Sequence, residues 1–399
     1  MISRMKPMRL LRLLVILAAG VPMISCGSRA QQPLSRLDTP EHHTVIGVRL
    51  LNQQKIAAAG REFELALKLD SRYARAQAGR GLVKAYQGDF AGGMESLKQA
   101  EKQIRSKEEK IFVLVGYIRL NILSHSACLR IGTECRRDDA WLKTAKDAFE
   151  QAVLIDPKDS SIYYFMGECY LTALDPDQAG RMFSRVLEIN EEYVWEAEGR
   201  WKLVQKIRRA MPRTVTGKKI ALLERITRAE AAALFLGELK IDALYARRAP
   251  NHFEKTFKDP EKVKRTALGR TVATDIDNHP LRTDIEGMVR IGMRGLDLYP
   301  DGSFRPDEPV DRANFAMMIE DILIKVTGDE ALATRFQGDA SPFPDMPADL
   351  RCFNAVMLAT SRGLMEIRDV GSGEFAPFAP VGGADALLAI RKIREEFRF

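Results

Sequence analysis

Few side chains in this 399-residue chain are placed to do covalent chemistry. Cys128 and Cys135 lie close together, and in an exported protein such a pair most simply forms a disulfide. Zinc would need paired C-x-x-C or local histidine spacing, and His125 alone does not supply it; it reads as a surface histidine. Cys169 and Cys352 sit in apolar helical patterns and read as buried thiols. The histidines are scattered, with only His42 and His43 adjacent. No Ser/His/Asp order, no phosphate-binding glycine loop after a strand and no metal-ligand cluster is visible. The chain is therefore expected to be no enzyme and to use no cofactor.

The most informative stretch is YPDGSFRPDEPVDRANF, Tyr299 to Phe315. Pro300-Asp301-Gly302 has turn chemistry, because proline presets φ and glycine takes a positive φ cheaply. Phe304 and Pro306 bracket an extended piece. Asp311 is a good N-cap, and Phe315, Met318, Ile319 and Ile322 follow at helical spacing. Upstream, Ile285, Met288, Val289 and Met293 predict a helix that ends near Gly292 or Gly295. The unit is helix, ordered loop, helix.

Asp275 to Leu323 resembles an S-layer homology repeat: an aspartate-hydrophobic start, a glycine after the first helix, a YPDGTFRP-like loop and a T-R-A-E-like second-helix start. Two further copies follow the same order. Ile226-Thr227-Arg228-Ala229-Glu230 gives the second-helix start of one. Phe343-Pro344-Asp345, Arg362-Gly363-Leu364, Gly373, Phe375 and Pro377 outline the other. Asp297, Asp301 and Asp307 suit this loop better than an EF-hand. The resemblance implies a pseudo-threefold helical bundle whose inter-repeat grooves bind anionic cell-wall polymer or peptidoglycan, through Arg228 and Arg312 at the helix starts. A guanidinium there makes bidentate charge-assisted bonds, and the helix end adds N–H donors. Gly383 stands in the third arginine's place, so that groove is expected to be weak and alanine there to change little. Pro280 and Leu350 replace the tryptophan usual in the first helix, and Asn314 replaces a glutamate. The first copy lacks the P-D-G turn in its loop, about 211–225, and a capping helix over 192–210 is expected to double as its first helix. Residues 240–273 read as a basic insertion, a solvated loop with some helix.

From Val45 the chain repeats with a period of about 34 residues. Gly47 recurs as Gly81; Ala59, Phe63 and Ala66 recur as Gly93, Leu97 and Ala100; Ala145, Phe149 and Ala152 recur as Ala179, Phe183 and Val186. Small residues let helices approach and the large one fills the gap. This resembles tetratricopeptide repeats, over about 44–71, 76–103, 110–157 and 161–190, with an insertion near 126–138. Tyr163, Tyr164, Phe165 and Tyr170 form an aromatic-rich helix. Such a solenoid implies a groove for a partner protein that the sequence does not name.

The first twelve residues are basic without an acid, and Leu13 to Ile24 is uncharged and apolar, too short to span a bilayer. Residues 1–25 are expected to be a signal peptide. Met23-Ile24-Ser25-Cys26-Gly27 resembles a bacterial lipobox, which implies acylation of Cys26; Gly27 after it favours the outer membrane, facing the periplasm. Residues 26–43 read as a polar tether. The formal charge is +7. Removing Arg4, Lys6, Arg9 and Arg12 from the 61 basic residues leaves 57 against 54 acidic ones, or +3. No basic stripe with interleaved aromatics points to nucleic acid.

The expected fold is all-α: a solenoid over 44–210 and a three-repeat bundle over 211–399. The expected function is a lipid-anchored envelope scaffold that joins wall polymer to a partner protein. The alternative is a repeat lipoprotein of envelope assembly, serving outer-membrane protein, pilus or secretin biogenesis, whose bundle is purely structural.

Overall fold

A computed structural model describes residues 38–131, 139–248 and 272–397. The expected signal peptide and Cys26 lie outside the described residues, as do Cys135 and the side chain of Cys128. The described chain is all-α, with isolated bridges as its only extended pairing. None of its helices is long and apolar enough to cross a membrane. It divides into two compact units, Met1–Gly116 and Tyr117–Phe399.

The first unit holds α1 (Pro40–Asn52), α2 (Ile56–Leu69), α3 (Ala74–Tyr86), α4 (Phe90–Glu101) and the start of α5 (Lys107–Ile131). The small–large–small sets form the helix contacts. Phe63 is fully buried, its ring held against Gly47 and Gly79, where added methyl groups would overlap it. Asp89 caps α4 by accepting from the Gly92 N–H. Helix α1 starts earlier than the tether expectation allowed. Proline suits a first helical turn, and Thr39 caps it through the His42 N–H, so residues 40–43 are helical.

His43 lies between two carboxylates, 2.7 Å from Glu62 and 2.8 Å from Asp38. Burial lowers its pKa, but both carboxylates outweigh that and raise it above the ordinary histidine range. A raised folded pKa means stability present below the unfolded value of about 6.5 and lost as pH climbs through the folded one. His43→Gln is therefore expected to cost about 1 kcal/mol in mild acid and progressively less above neutrality. Urea midpoints of both proteins from pH 5.5 to 8.5 check this; a pH-independent difference would refute it.

The second unit continues from α5 through α6 (Ala140–Ile155), α7 (Ser160–Thr172), α8 (Pro176–Ile189) and α9 (Val194–Ala210). The Phe183 ring packs on Gly167 as Phe63 does on its glycines. Tyr163, Phe165 and Tyr170 are buried, and Tyr164 stacks on Tyr193 at 4.8 Å. His125 is half-buried rather than at the surface, stacked on Trp141 at 4.1 Å. Burial pushes the Cys169 thiol up to about 12, as expected of an inert buried cysteine.

Helix α9 faces two ways. Its Trp201 indole donates to Ser184 on α8, while Ile207 and Ala210 join the C-terminal core. This double packing keeps residues 117–210 with the C-terminal helices, so the division of the chain falls in α5 and not at 210. Next come α10 (Val215–Ile220), capped by Thr214, and α11 (Arg228–Leu234), which runs into a π-turn over Phe235–Leu239. The loop expected over 211–225 thus contains a helix. Then follow α12 (Ile241–Arg248), α13 (Arg282–Ile291), α14 (Arg312–Thr327), α15 (Phe353–Ser361) and α16 (Gly383–Glu396). Ile241 and Leu244 are fully buried, so the expected solvated insertion opens with a core helix; residues 249–271 lie outside the described residues.

The second helices of the three repeats, α11, α14 and α16, meet around a closed ring of backbone hydrogen bonds. The Val310 N–H donates to Ile226 at 2.9 Å, Val381 to Val310 at 3.0 Å, and Ile226 to Val381 at 2.9 Å. All three residues are buried. Each precedes a helix cap, so the ring fixes where the three second helices begin.

Candidate inter-repeat grooves

Each ordered loop is built from its own sequence signals. In the second repeat, Gly302 at φ +79° closes the turn, its N–H bonding the Tyr299 carbonyl at 2.8 Å. Arg305 takes a left-handed φ of 55°, and the Asp275 carboxylate steadies it by accepting from the Phe304 and Arg305 N–H groups. The third repeat copies this. Gly373 turns the chain, Ala376 takes φ 56°, and Asp345 accepts from the Phe375 and Ala376 N–H groups. Non-glycine residues in this region cost about 1 kcal/mol or more, which each aspartate offsets with two charge-assisted bonds.

The two predicted arginines are spent inward. Arg228 is 8% exposed. Its guanidinium donates to the carbonyls of Phe304 (2.8 Å), Gly295 (2.6 Å) and Asp297 (2.7 Å), and it lies over the Tyr299 and Phe304 rings. Arg312, also 8% exposed, donates to Phe375 (2.7 Å) and Glu366 (2.5 Å), over the Phe375 ring. Burial lowers both pKa values, yet arginine stays cationic. The helix ends are occupied as well. The Arg228 and Ala229 N–H groups bond the Glu308 and Pro306 carbonyls, and those of Arg312 and Ala313 bond Ala379 and Pro377. The expected combination of open guanidinium and open helix end is thus replaced by braces, each tying one repeat's helix to the next repeat's loop. The third joint closes differently: the Gly383 N–H bonds Leu223 at 2.9 Å, and Gly383 packs directly on the Ile220 carbonyl.

Each brace still borders an open groove. The first groove, about 280 Å³, lies beside Arg228 and is lined by Asp297, Tyr299, Glu308 and Asn314. The second, about 400 Å³, lies beside Arg312 and is lined in part by Lys202 and Lys206 of α9. Residues 297–316 match the S-layer homology domain family model. That match covers the loop braced by Arg228 and the helix start that carries Arg312, and it associates the chain with the cell envelope. No curated protein matches this chain. The matched segment is thus one part of a bundle in which the loop around Gly373 repeats the geometry of the loop around Gly302.

Several supporting residues escaped sequence reasoning. Buried Glu238 accepts from the Arg213 and Thr214 N–H groups and the Thr214 hydroxyl, anchoring α10. Buried Glu320 is held by Arg294 at 2.9 Å and by Asn354, while burial raises its pKa. Both acids sit inside apolar helical patterns, and only that mismatch could have flagged them. Among the described residues, no three His, Cys, Asp or Glu side chains converge to hold a metal ion.

Proposed function

We propose that the protein is a lipid-anchored scaffold of the cell envelope. Its C-terminal bundle contacts wall polymer through the inter-repeat grooves, and its helical repeats, read as tetratricopeptide-like, hold a partner protein. The observation that carries the wall contact is the pair of open grooves beside arginine-braced loops, the first of them lined mainly by the segment that matches the S-layer homology domain. The anchor rests on Cys26 after the apolar run Leu13 to Ile24; acyl chains contribute roughly 0.8 kcal/mol per buried CH₂. In this reading the protein faces the periplasm from the outer membrane. It needs no cofactor and catalyses no reaction.

A second reading has one observation in its favour. Both arginines are consumed internally, as they would be in a purely structural bundle serving envelope assembly. Sedimentation with purified peptidoglycan sacculi separates the two. The scaffold reading expects co-sedimentation that weakens as salt rises, because exposed charge pairs are screened. A protein that stays in the supernatant at low salt would favour the assembly reading. The same fractionation on cells should find wild type with membranes and Cys26→Ser released or uncleaved; unchanged fatty-acid labelling in that variant would refute the anchor.

A further inference from the structure

The two open grooves occupy equivalent positions in the bundle and differ in charge. Matching the repeats through Gly302 and Gly373, Phe304 and Phe375, and Asn314 and Asp385 places Asp297 opposite Arg368 and Glu308 opposite Ala379. The first groove is therefore lined by two carboxylates, with its sole cation, Arg228, turned inward onto carbonyls. The second groove carries Arg368 and Lys392 from the third repeat and gains Lys202 and Lys206 from α9, against Glu224, Glu366 and Asp385. Its cations are only loosely committed. Lys206 pairs with Asp385 at 2.7 Å, both half-exposed; Lys202 pairs along its own helix with Glu198; Lys392 donates to the Gly363 carbonyl and stands 3.9 Å from Glu366. Exposed pairs of this kind are weak and exchange readily for a better anion. Among the described residues Arg368 joins no ion pair, and it is exposed at the groove's edge.

We propose that the second groove alone takes the anionic unit of the wall polymer, a saccharide bearing carboxylate or phosphate. Arg368, Lys202 and Lys206 are its contacts, so the binding site includes α9, which lies outside the matched segment 297–316. Arg312 acts as a positioning residue that holds the loop bearing Arg368. The inference rests on the wall-binding reading and assigns it to one groove and to residues outside the arginine motif. An anion entering the first groove would meet Asp297 and Glu308, and the nearest exposed cation, Arg305, lies outside the lining, stacked on Tyr299 and paired with Asp301; like charge brought together in a partly desolvated site is repulsive.

A charge exchange tests it, with full-length protein, sacculi, and two soluble probes, polygalacturonate for carboxylate and poly(glycerol phosphate) for phosphate. Arg368→Asp and the double variant Lys202→Ala/Lys206→Ala are expected to weaken sacculus binding by about tenfold or more each. Asp297→Arg is expected to leave it intact or strengthen it. Asp297 and Arg368 are exposed, so both substitutions should preserve thermal stability. The soluble probe that competes identifies the anion. If wild type binds sacculi and Arg368→Asp binds equally well, the groove assignment is overturned while the wall-binding reading stands. If Asp297→Arg abolishes binding, the first groove is the site and the assignment is likewise overturned. If wild type binds no sacculi, the wall-binding reading falls, and the assignment with it.

Discussion

Gly383→Ala is expected to destabilise the C-terminal bundle severely. A Cβ at this position would overlap the Ile220 carbonyl group, 2.6 Å from its carbon. The obstacle is backbone, held by the α10 turn and by the Gly383–Leu223 hydrogen bond, so no side chain can swing aside. Overpacking a core typically costs about 1–3 kcal/mol, and a rigid neighbour puts this case at the upper end or beyond, ~3 kcal/mol. Gly382→Ala is the control, because its Cβ would meet Asp385 Oδ2 at 3.3 Å and the Glu224 carbonyl at 3.5 Å, both tolerable. Gly383→Arg, which restores the residue type of the other two repeats, should fare worst of all. Thermal unfolding monitored by circular dichroism would show it. An alanine variant as stable as wild type would mean that the third joint is looser than described. The sequence reading weighed this glycine only as a missing arginine in ligand binding; the contact makes it a packing requirement as well.

Arg228→Ala and Arg312→Ala come next in size. The first removes the donor from three loop carbonyls and the second from two, and the bonds to Phe304 and Phe375 are fully buried. A buried acceptor left without a donor costs about 1–3 kcal/mol, and these losses overlap, so about 3 kcal/mol is expected for Arg228→Ala and slightly less for Arg312→Ala. Lysine should rescue little, since one ammonium cannot reach carbonyls that diverge around a planar fork. The prediction separates bracing from ligand contact. A brace lowers the unfolding midpoint without ligand, and sacculus binding falls only as far as the folded fraction does. Midpoints within error of wild type, with binding lost, would restore direct contact through these arginines.

Local signals made much of the bundle legible. The P-D-G turn, the Asp311 cap and the helical spacing after it all lie in one short stretch, and the structure realises each where the sequence puts it. The small–large–small sets likewise foretell Phe63 and Phe183 against their glycines. What stayed hidden depends on partners far along the chain. Nothing near Arg228 announces that its hydrogen-bond partners are Gly295, Asp297 and Phe304, and nothing near Gly383 announces Ile220. The sequence shows an arginine at a helix start; whether it faces a ligand or a carbonyl is decided by a loop that belongs to another repeat. Helix α10 was missed because six residues are too few to display a period. The basic character of the second groove was missed because it is assembled from α9 and the third repeat, which only the fold brings together.

The ring formed by Ile226, Val310 and Val381 sets how this architecture can change in size. A stack of helical hairpins is open-ended: another hairpin adds one more interface and leaves the existing ones as they were. The ring is a cycle. Each member donates to one neighbour and accepts from the other, so its count is fixed and its last bond joins the first repeat to the third across a long intervening chain. Closing that chain has an entropic cost that no single repeat can offset alone. Two repeats would leave a buried donor and a buried acceptor unmatched, and a fourth would find no place in the cycle. Growth by duplication is therefore open to the helical hairpins and shut to the bundle. New specificity in the bundle has to come from exchanging side chains along its grooves, as the opposition of Asp297 and Arg368 illustrates.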